Sequence, residues 1–244
     1  MENFSIILVE PIYGGNIGSV ARVMMNFGFK NLVMVNPPLI GIETIKFAVH
    51  AKEIVQDAKI FKSFDEMSEN FDLLIGTSAG IAGDKNFIRT PISSANLGNV
   101  VNVDGNIGLV FGREDFGLSD KEIEKCDILV TIPTDRSYKS LNLSHSVAVI
   151  LYELAREKNL RGVNLKKMKL ANKIERDVML EKFTELVSVF ELGEFRTRLI
   201  KKTFKIVTGR SFVSGRECNT LTGVFRRSRE LIEKQKKENT KGNI

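Results

Sequence analysis

Four short stretches of the 244-residue chain combine glycine, small hydroxyl residues and charge in ways that can bind an anion or position a hydroxyl group. The first, Tyr13-Gly14-Gly15-Asn16-Ile17-Gly18-Ser19, opens a segment of helical period. Free backbone N–H groups and the helix dipole favour negative charge at such a turn. The second is Thr77-Ser78-Ala79-Gly80 and the third is Gly112-Arg113-Glu114-Asp115-Phe116-Gly117-Leu118. The fourth, from Thr134 to Ser144 (TDRSYKSLNLS), is polar and runs straight into a helix. The first turn fails the dinucleotide fingerprint, because a GxGxxG pattern ending at Gly18 needs glycine where Tyr13 stands. The acidic residue expected after the next strand is also replaced, by Val35-Asn36-Pro37-Pro38. A nicotinamide-dependent oxidoreductase is therefore the remote alternative. The plainer reading of Gly14, Gly15 and Gly18 is a tight turn with close packing of the helix.

Each polar residue in these stretches carries two readings. Arg22 lies off the apolar stripe of the first helix, either as a functional cation or as an exposed arginine in a salt bridge. Asn16 caps that helix or contacts a ligand, and Glu114 holds Arg22, holds a substrate hydroxyl, or sits solvated beside Arg113. Ser140 and Asn142 bind a ligand, cap the closing helix, or do both. His145 falls inside that helix and reads as packed, and the Met24-Met25 pair reads as core filler. With His50 and His145 as the only histidines, and Cys126 and Cys218 far apart, no metal site is expected and both cysteines read as reduced thiols.

The elements that must position these loops follow from periodicity. Strand candidates are Ser5 to Glu10, Asn31 to Asn36, Asp72 to Gly76, Ile107 to Gly112 and Ile128 to Pro133, with a weaker one at Lys59 to Lys62. Several are nearly continuous apolar runs, the pattern of strands covered on both faces, and helical segments separate them. The expected fold class is therefore α/β, an open parallel sheet with helices on both faces. Ligands in such sheets bind beyond the carboxyl ends of the strands, where the four stretches lie. The organisation predicted is a domain over residues 1–158, a linker over 159–170 and a basic helical region over 171–244, with amphipathic segments near Lys173 to Leu192, Arg196 to Val207 and Thr220 to Lys236.

Charge divides at the same boundary. The chain carries 36 Lys and Arg against 30 Asp and Glu, but 15 and 20 of these precede residue 159, net −5, leaving 21 and 10 after it, net +11. A basic helical region attached to an acidic domain points to an anionic partner. No apolar run of membrane-spanning length is present, and the start lacks a basic segment ahead of a long apolar one, so a cytoplasmic protein without membrane partner is expected.

Three ordered motifs carry a resemblance to a known family. Gly15-Asn16-Ile17-Gly18-Ser19-Val20-Ala21-Arg22 with Asn26-Phe27-Gly28, then Phe111-Gly112-Arg113-Glu114 with Gly117-Leu118, then Ile132-Pro133 with Ser140-Leu141-Asn142-Leu143, resemble the motifs of the SpoU group. Those proteins are SPOUT-superfamily RNA 2′-O-ribose methyltransferases. Val9-Glu10-Pro11, the run from Gly76 to Ala79, and the spacing of Tyr138, Ser140, Leu141 and Asn142 most resemble the branch that methylates nucleotide 32 of the tRNA anticodon loop. The resemblance is dense from Ser5 to Lys158.

The resemblance implies a C-terminal trefoil knot in the sheet domain, S-adenosylmethionine as cofactor, tRNA as substrate and a homodimer. It places the cofactor against Thr77, Ser78, Ala79, Gly112, Ile132, Lys139, Ser140 and Leu141, and the chemistry at Arg22, Asn16, Glu114, Ser140 and Asn142. A guanidinium with a pKa above about 12 suits gripping a phosphate or stabilising an alkoxide better than accepting a proton. Where the family continues the second loop with arginine, Gly80 stands here, so that loop either uses Arg89 instead or contacts RNA differently. RNA contacts are expected at Arg22, Lys201, Lys202, Arg226 and Arg227, within clusters that include Lys166, Lys167, Lys169 and Arg229. No DNA partner is expected. The alternatives within the class are methylation of another RNA such as rRNA, and a non-catalytic RNA-binding protein.

Overall fold

The computed structural model describes residues 2–79, 91–135, 137–160, 168–211 and 213–241, and divides into two compact units, 1–168 and 169–244. Gly80 and Arg89 of the second loop, and Lys166 and Lys167 of the expected linker, lie outside the described residues.

The first unit begins β1 (Phe4–Val9), α1 (Gly14–Phe27), β2 (Asn31–Val35), α2 (Ile42–Ala48), α3 (Lys52–Gln56), β3 (Lys59–Phe61), α4 (Phe64–Ser68) and β4 (Leu73–Thr77). It continues with β5 (Ile92–Ser93), β6 (Val103–Asp104), β7 (Ile107–Phe111), α5 (Asp120–Lys125), β8 (Ile128–Thr131) and α6 (Leu143–Leu160). Seven strands form one sheet in the order β3-β2-β1-β7-β4-β8-β5, and every pairing is parallel. In β1, Ile6 pairs with Leu32 on one side and Leu109 on the other. All five residues of β7 and all four of β8 are buried, which accounts for their unbroken apolar sequences.

Alternation splits the core between the two faces of the sheet. Ile7, Val9, Val33, Val35, Leu74 and Val110 pack against Phe64 and Met67 of α4 and Ile123 of α5. On the other side α1 packs on α6, burying Ile17, Val20, Ala21 and Met24 along one helix and Val147, Ile150, Leu151 and Leu154 along the other. Met24 is fully buried but Met25 is 53% exposed, so only half of the methionine pair fills the core. At the end of α1, Gly28 adopts φ 75°, and its N–H and that of Phe29 bond back to Met25 and Met24, a left-handed cap that suits glycine.

Helix α6 runs through Leu160, past the expected boundary at 158. After β9 (Met168–Lys169), the second unit consists of α7 (Lys173–Ser188), α8 (Glu194–Arg210) and α9 (Gly215–Lys241). Asn172 and Glu175 form a reciprocal capping box at the start of α7. Ala171, Met179, Val213 and Cys218 make a small core, supported by Phe204, Leu221 and Phe225. Phe183 stacks on Phe204 at 3.9 Å and meets Phe225 edge-on at 5.3 Å. Burial pushes the Cys218 thiol up, and both Cys126 and Cys218 are free.

Candidate functional site

Parallel pairing puts the carboxyl ends of β1, β7, β4 and β8, which are adjacent in the sheet, along one edge. The loops that leave those ends are the four stretches singled out in the sequence. Thr77, Ser78, Ala79, Gly112, Ile132, Lys139, Ser140 and Leu141 all line one cavity of about 330 Å³. Three separate loops thus supply the eight residues to which the resemblance assigned the cofactor.

The loop after β7 owes its shape to glycine. A Cβ on Gly112 would stand 2.1 Å from the carbonyl carbon of Gly117 and 2.3 Å from Leu118 N, so the two ends of the loop meet only because Gly112 has no side chain. Gly117 turns the chain back with φ 71°, and Arg113 and Gly117 exchange backbone hydrogen bonds of 2.9 and 3.2 Å. Thr77 anchors the neighbouring loop by donating its hydroxyl to Val110 O at 3.0 Å.

Arg113 holds this loop to the sheet. Its guanidinium donates to both oxygens of Glu122, at 2.9 and 3.0 Å, and to Glu10 Oε2 at 2.7 Å, with only 11% of the arginine and Glu122 side chains exposed. The Glu122 hydrogen bond, against burial and with help from Glu10, holds the Arg113 pKa above its ordinary value. Burial alone would raise the Glu122 carboxyl, but Arg113, Ser119 N–H and the Ser119 hydroxyl outweigh it and hold that group below the usual carboxylate range. Glu10 reaches the cluster from a left-handed residue at the end of β1, φ 45°. Arg113 and Glu10 belong to runs that carry the family resemblance, but the sequence assigned neither them nor Glu122 this clamp. Ser119 and Glu122 form a capping box at the start of α5, and Glu122 serves a second time as the arginine clamp.

The residues expected to carry the chemistry form a second cluster. Glu114 Oε1 accepts from Asn16 Nδ2 at 2.7 Å and Glu114 Oε2 accepts from Ile12 N–H at 2.9 Å. Asn142 Nδ2 donates to Asn16 Oδ1 at 3.0 Å, while Asn142 Oδ1 accepts from Ser144 N–H at 2.9 Å, in the capping position of α6. Asn16 does not cap α1: Tyr13 holds that position and the Asn16 side chain is committed to Glu114 and Asn142. Glu114 neither sits free beside Arg113, which has its own carboxylates, nor holds Arg22. These residues, with Ser140, line an open hollow of about 570 Å³ that shares Glu114, Ser140 and Leu141 with the cavity.

Gly14 and Gly18 serve packing. A Cβ on Gly14 would lie 2.5 Å from Thr44 Oγ1, and one on Gly18 only 2.3 Å from Thr44 O, so α2 rests directly on the start of α1. Arg22 is exposed, makes no ion pair among the described residues, and lines neither the cavity nor the hollow. It stands six residues beyond Asn16, about 9 Å along the helix. His145 is exposed rather than packed, because it faces away from the buried stripe of Val147, Ile150 and Leu151. Among the described residues no group of acidic, histidine or cysteine side chains is arranged to hold a metal, and no helix is long and apolar enough to cross a membrane.

In the helical unit, Lys201 and Lys202 of α8 are half-buried and Arg226 and Arg227 of α9 are exposed. Arg229 pairs with Glu185 of α7, and Lys236 reaches Glu191 and the carbonyl of Val189 at the end of the same helix. Part of the basic excess therefore ties α9 to α7.

Similarity to known proteins places the chain. The model of the SpoU rRNA methylase family matches residues 3–152. The chain belongs to this family. A tRNA (cytidine-2′-O-)-methyltransferase TrmJ of Methanocaldococcus jannaschii is 45% identical over 225 residues, spanning 91% of this chain and 98% of the relative. A protein of the same description from Sulfolobus acidocaldarius is 31% identical over 241 residues, 97% of each chain. Among solved structures, a probable methylase family protein from Haemophilus influenzae matches with a TM-score of 0.66 at 28% identity, covering 98% of this chain and 99% of the other. As a SpoU protein the chain is an RNA methyltransferase that uses S-adenosylmethionine. The cavity fits that cofactor: its volume is that of a small-molecule site, Ile132 and Leu141 give apolar walls, and Gly112 leaves backbone where a side chain would otherwise intrude.

Proposed function

We propose that this SpoU protein methylates the ribose 2′-oxygen of a tRNA nucleotide, at nucleotide 32 of the anticodon loop, with cytidine as the principal substrate and uridine as the other pyrimidine. One observation carries the reading: eight residues from three loops line a single cavity, and that cavity shares Glu114, Ser140 and Leu141 with the hollow built around Asn16 and Asn142. Cofactor and nucleotide would then meet at the shared wall. The names of the relatives from Methanocaldococcus and Sulfolobus support a tRNA substrate and a cytidine target.

S-adenosylmethionine, when bound, supplies a methyl group on an electrophilic sulfonium. Thr77, Ser78, Ala79, Gly112, Ile132, Lys139, Ser140 and Leu141 would hold it, the small residues and backbone on its polar parts and Ile132 and Leu141 on its apolar ones. The Asn142–Asn16–Glu114 chain keeps two amides in fixed orientation against the hollow, so that hydroxyl groups of a ribose find preset partners. Arg22 is the cation available to grip a phosphate or a developing alkoxide, and as a guanidinium it remains charged throughout. It lies outside the hollow of its own chain, which supports a homodimer in which α1 of one copy serves a site shared with the other. Met25 and Tyr152, both about half exposed on α1 and α6, support a face covered by a second copy. The trefoil knot, a cytoplasmic location, and phosphate attraction by Lys201, Lys202, Arg226 and Arg227 belong to the same reading.

The test is incubation of the purified protein with methyl-labelled S-adenosylmethionine and a tRNA transcript, followed by nuclease digestion and mass spectrometry. The expected product is a single 2′-O-methylpyrimidine at nucleotide 32. Label at another nucleotide overturns the position, and the absence of transfer to any RNA overturns the reading.

A further inference from the structure

Besides the residues already placed at the site, the hollow is lined by Tyr13, Glu43, Phe47 and Tyr138. Gly15 faces two of them closely: a Cβ there would stand 3.3 Å from Glu43 Oε1 and 3.4 Å from the Phe47 ring. Tyr13, Phe47 and Tyr138 are 57, 44 and 78% exposed, so three aromatic side chains line the hollow with much of their surface open to solvent. Exposed aromatic rings are the surfaces on which proteins stack unpaired bases.

The charge of the hollow is distinctive. The lining contains no Lys, Arg or His, and its two carboxylates are Glu43 and Glu114. Glu114 is occupied by Asn16 Nδ2 and the N–H groups of Ile12 and Tyr13. Glu43 makes no hydrogen bond or ion pair among the described residues. Its place in the first turn of α2 explains why a carboxylate is tolerated there, since the helix dipole favours it. That does not explain why its oxygen overlooks Gly15 and the hollow. An ionised carboxylate can only accept hydrogen bonds. It therefore suits a base edge that presents an amino group and opposes one that presents a carbonyl oxygen.

We propose that Glu43 reads the target base: its carboxylate accepts a hydrogen bond from the exocyclic N4 amino group of cytosine while the base lies among Tyr13, Phe47 and Tyr138. Uracil presents its O4 lone pairs at the same place and is disfavoured twice, by the lost bond and by repulsion. This inference rests on the proposed methylation of a tRNA pyrimidine and adds the means by which one pyrimidine is preferred.

The full-length protein is compared on two transcripts that differ only in cytidine or uridine at the target nucleotide, with kcat/KM measured for each and S-adenosylmethionine affinity followed by calorimetry as a check on the fold. The wild type is expected to favour cytidine at least about tenfold, the scale of one charge-assisted hydrogen bond. Glu43→Gln, whose amide can accept from cytosine or donate to uracil, is expected to bring the two transcripts within about threefold of each other. Phe47→Ala is expected to weaken both in parallel and leave their ratio as in the wild type, because stacking does not depend on the 4-substituent. A wild-type ratio that survives in Glu43→Gln overturns the assignment, as does a wild type that methylates both transcripts equally. A wild type that methylates neither overturns the functional reading itself, and the assignment with it.

Discussion

The side-chain amide of Asn142 donates to the side-chain oxygen of Asn16 at 3.0 Å, joining two residues 126 positions apart in the chain. Asn16 in turn donates to Glu114 at 2.7 Å. Each of the three SpoU motifs thus contributes one member to a single hydrogen-bonded line along the carboxyl edge of the sheet.

Glu114 is the hub of that line, since it also accepts from the N–H of Ile12. Glu114→Ala releases Asn16 and the turn before α1 together. The expected result is a fall in kcat of about a hundredfold, the scale of a misplaced reacting group, with S-adenosylmethionine affinity changed less than about threefold. Single-turnover rates beside calorimetry separate the two quantities.

The clamp of Arg113 on Glu122 and Glu10 predicts a pH-dependent stability. Glu122 titrates below its ordinary 4.5 in the folded protein. The stabilisation is therefore complete above about pH 4.5 and is lost as pH falls through the lower folded value. Arg113→Gln leaves Glu122 without its principal partner and is expected to cost about 3 kcal/mol at pH 7. The gap between wild type and variant in urea unfolding should narrow as pH falls below about 4.5.

The basic helical unit contains arginines with different work. Arg226 and Arg227 are exposed, the latter in a long 3.9 Å contact with Glu230, whereas Arg229 pairs with Glu185 across to α7. Arg226→Ala with Arg227→Ala is expected to lower tRNA affinity and reduce the slope of log affinity against log salt by about 1 to 2 while leaving thermal stability unchanged. Arg229→Ala is expected to lower stability, read by thermal denaturation, with a smaller effect on the salt slope.

Much of this arrangement was legible before any coordinates. Strands such as Ile107 to Phe111 announce themselves because burial on both faces demands an unbroken apolar run, and parallel pairing then fixes which loops share an edge. The eight cofactor assignments fall in one cavity for that reason. What escaped the sequence depends on contacts between distant residues. Asn16 looks like a helix cap from its neighbours alone, and only Glu114 and Asn142, brought near by the sheet order, recruit it elsewhere. Glu10 and Glu122 carry no local sign that Arg113 lies between them. His145 reads as packed from its place inside an apolar helix, yet the helical period turns it to solvent. The two-residue strand Ile92–Ser93 is too short to leave a periodic trace.

A tRNA whose target nucleotide alone carries 2′-deoxyribose lacks only the oxygen that is to receive the methyl group. With this tRNA, binding is expected to be retained and incorporation of label from methyl-labelled S-adenosylmethionine at that nucleotide to be abolished. Incorporation at the rate of the unmodified tRNA would show that the methyl group goes to another atom and would overturn ribose 2′-O-methylation.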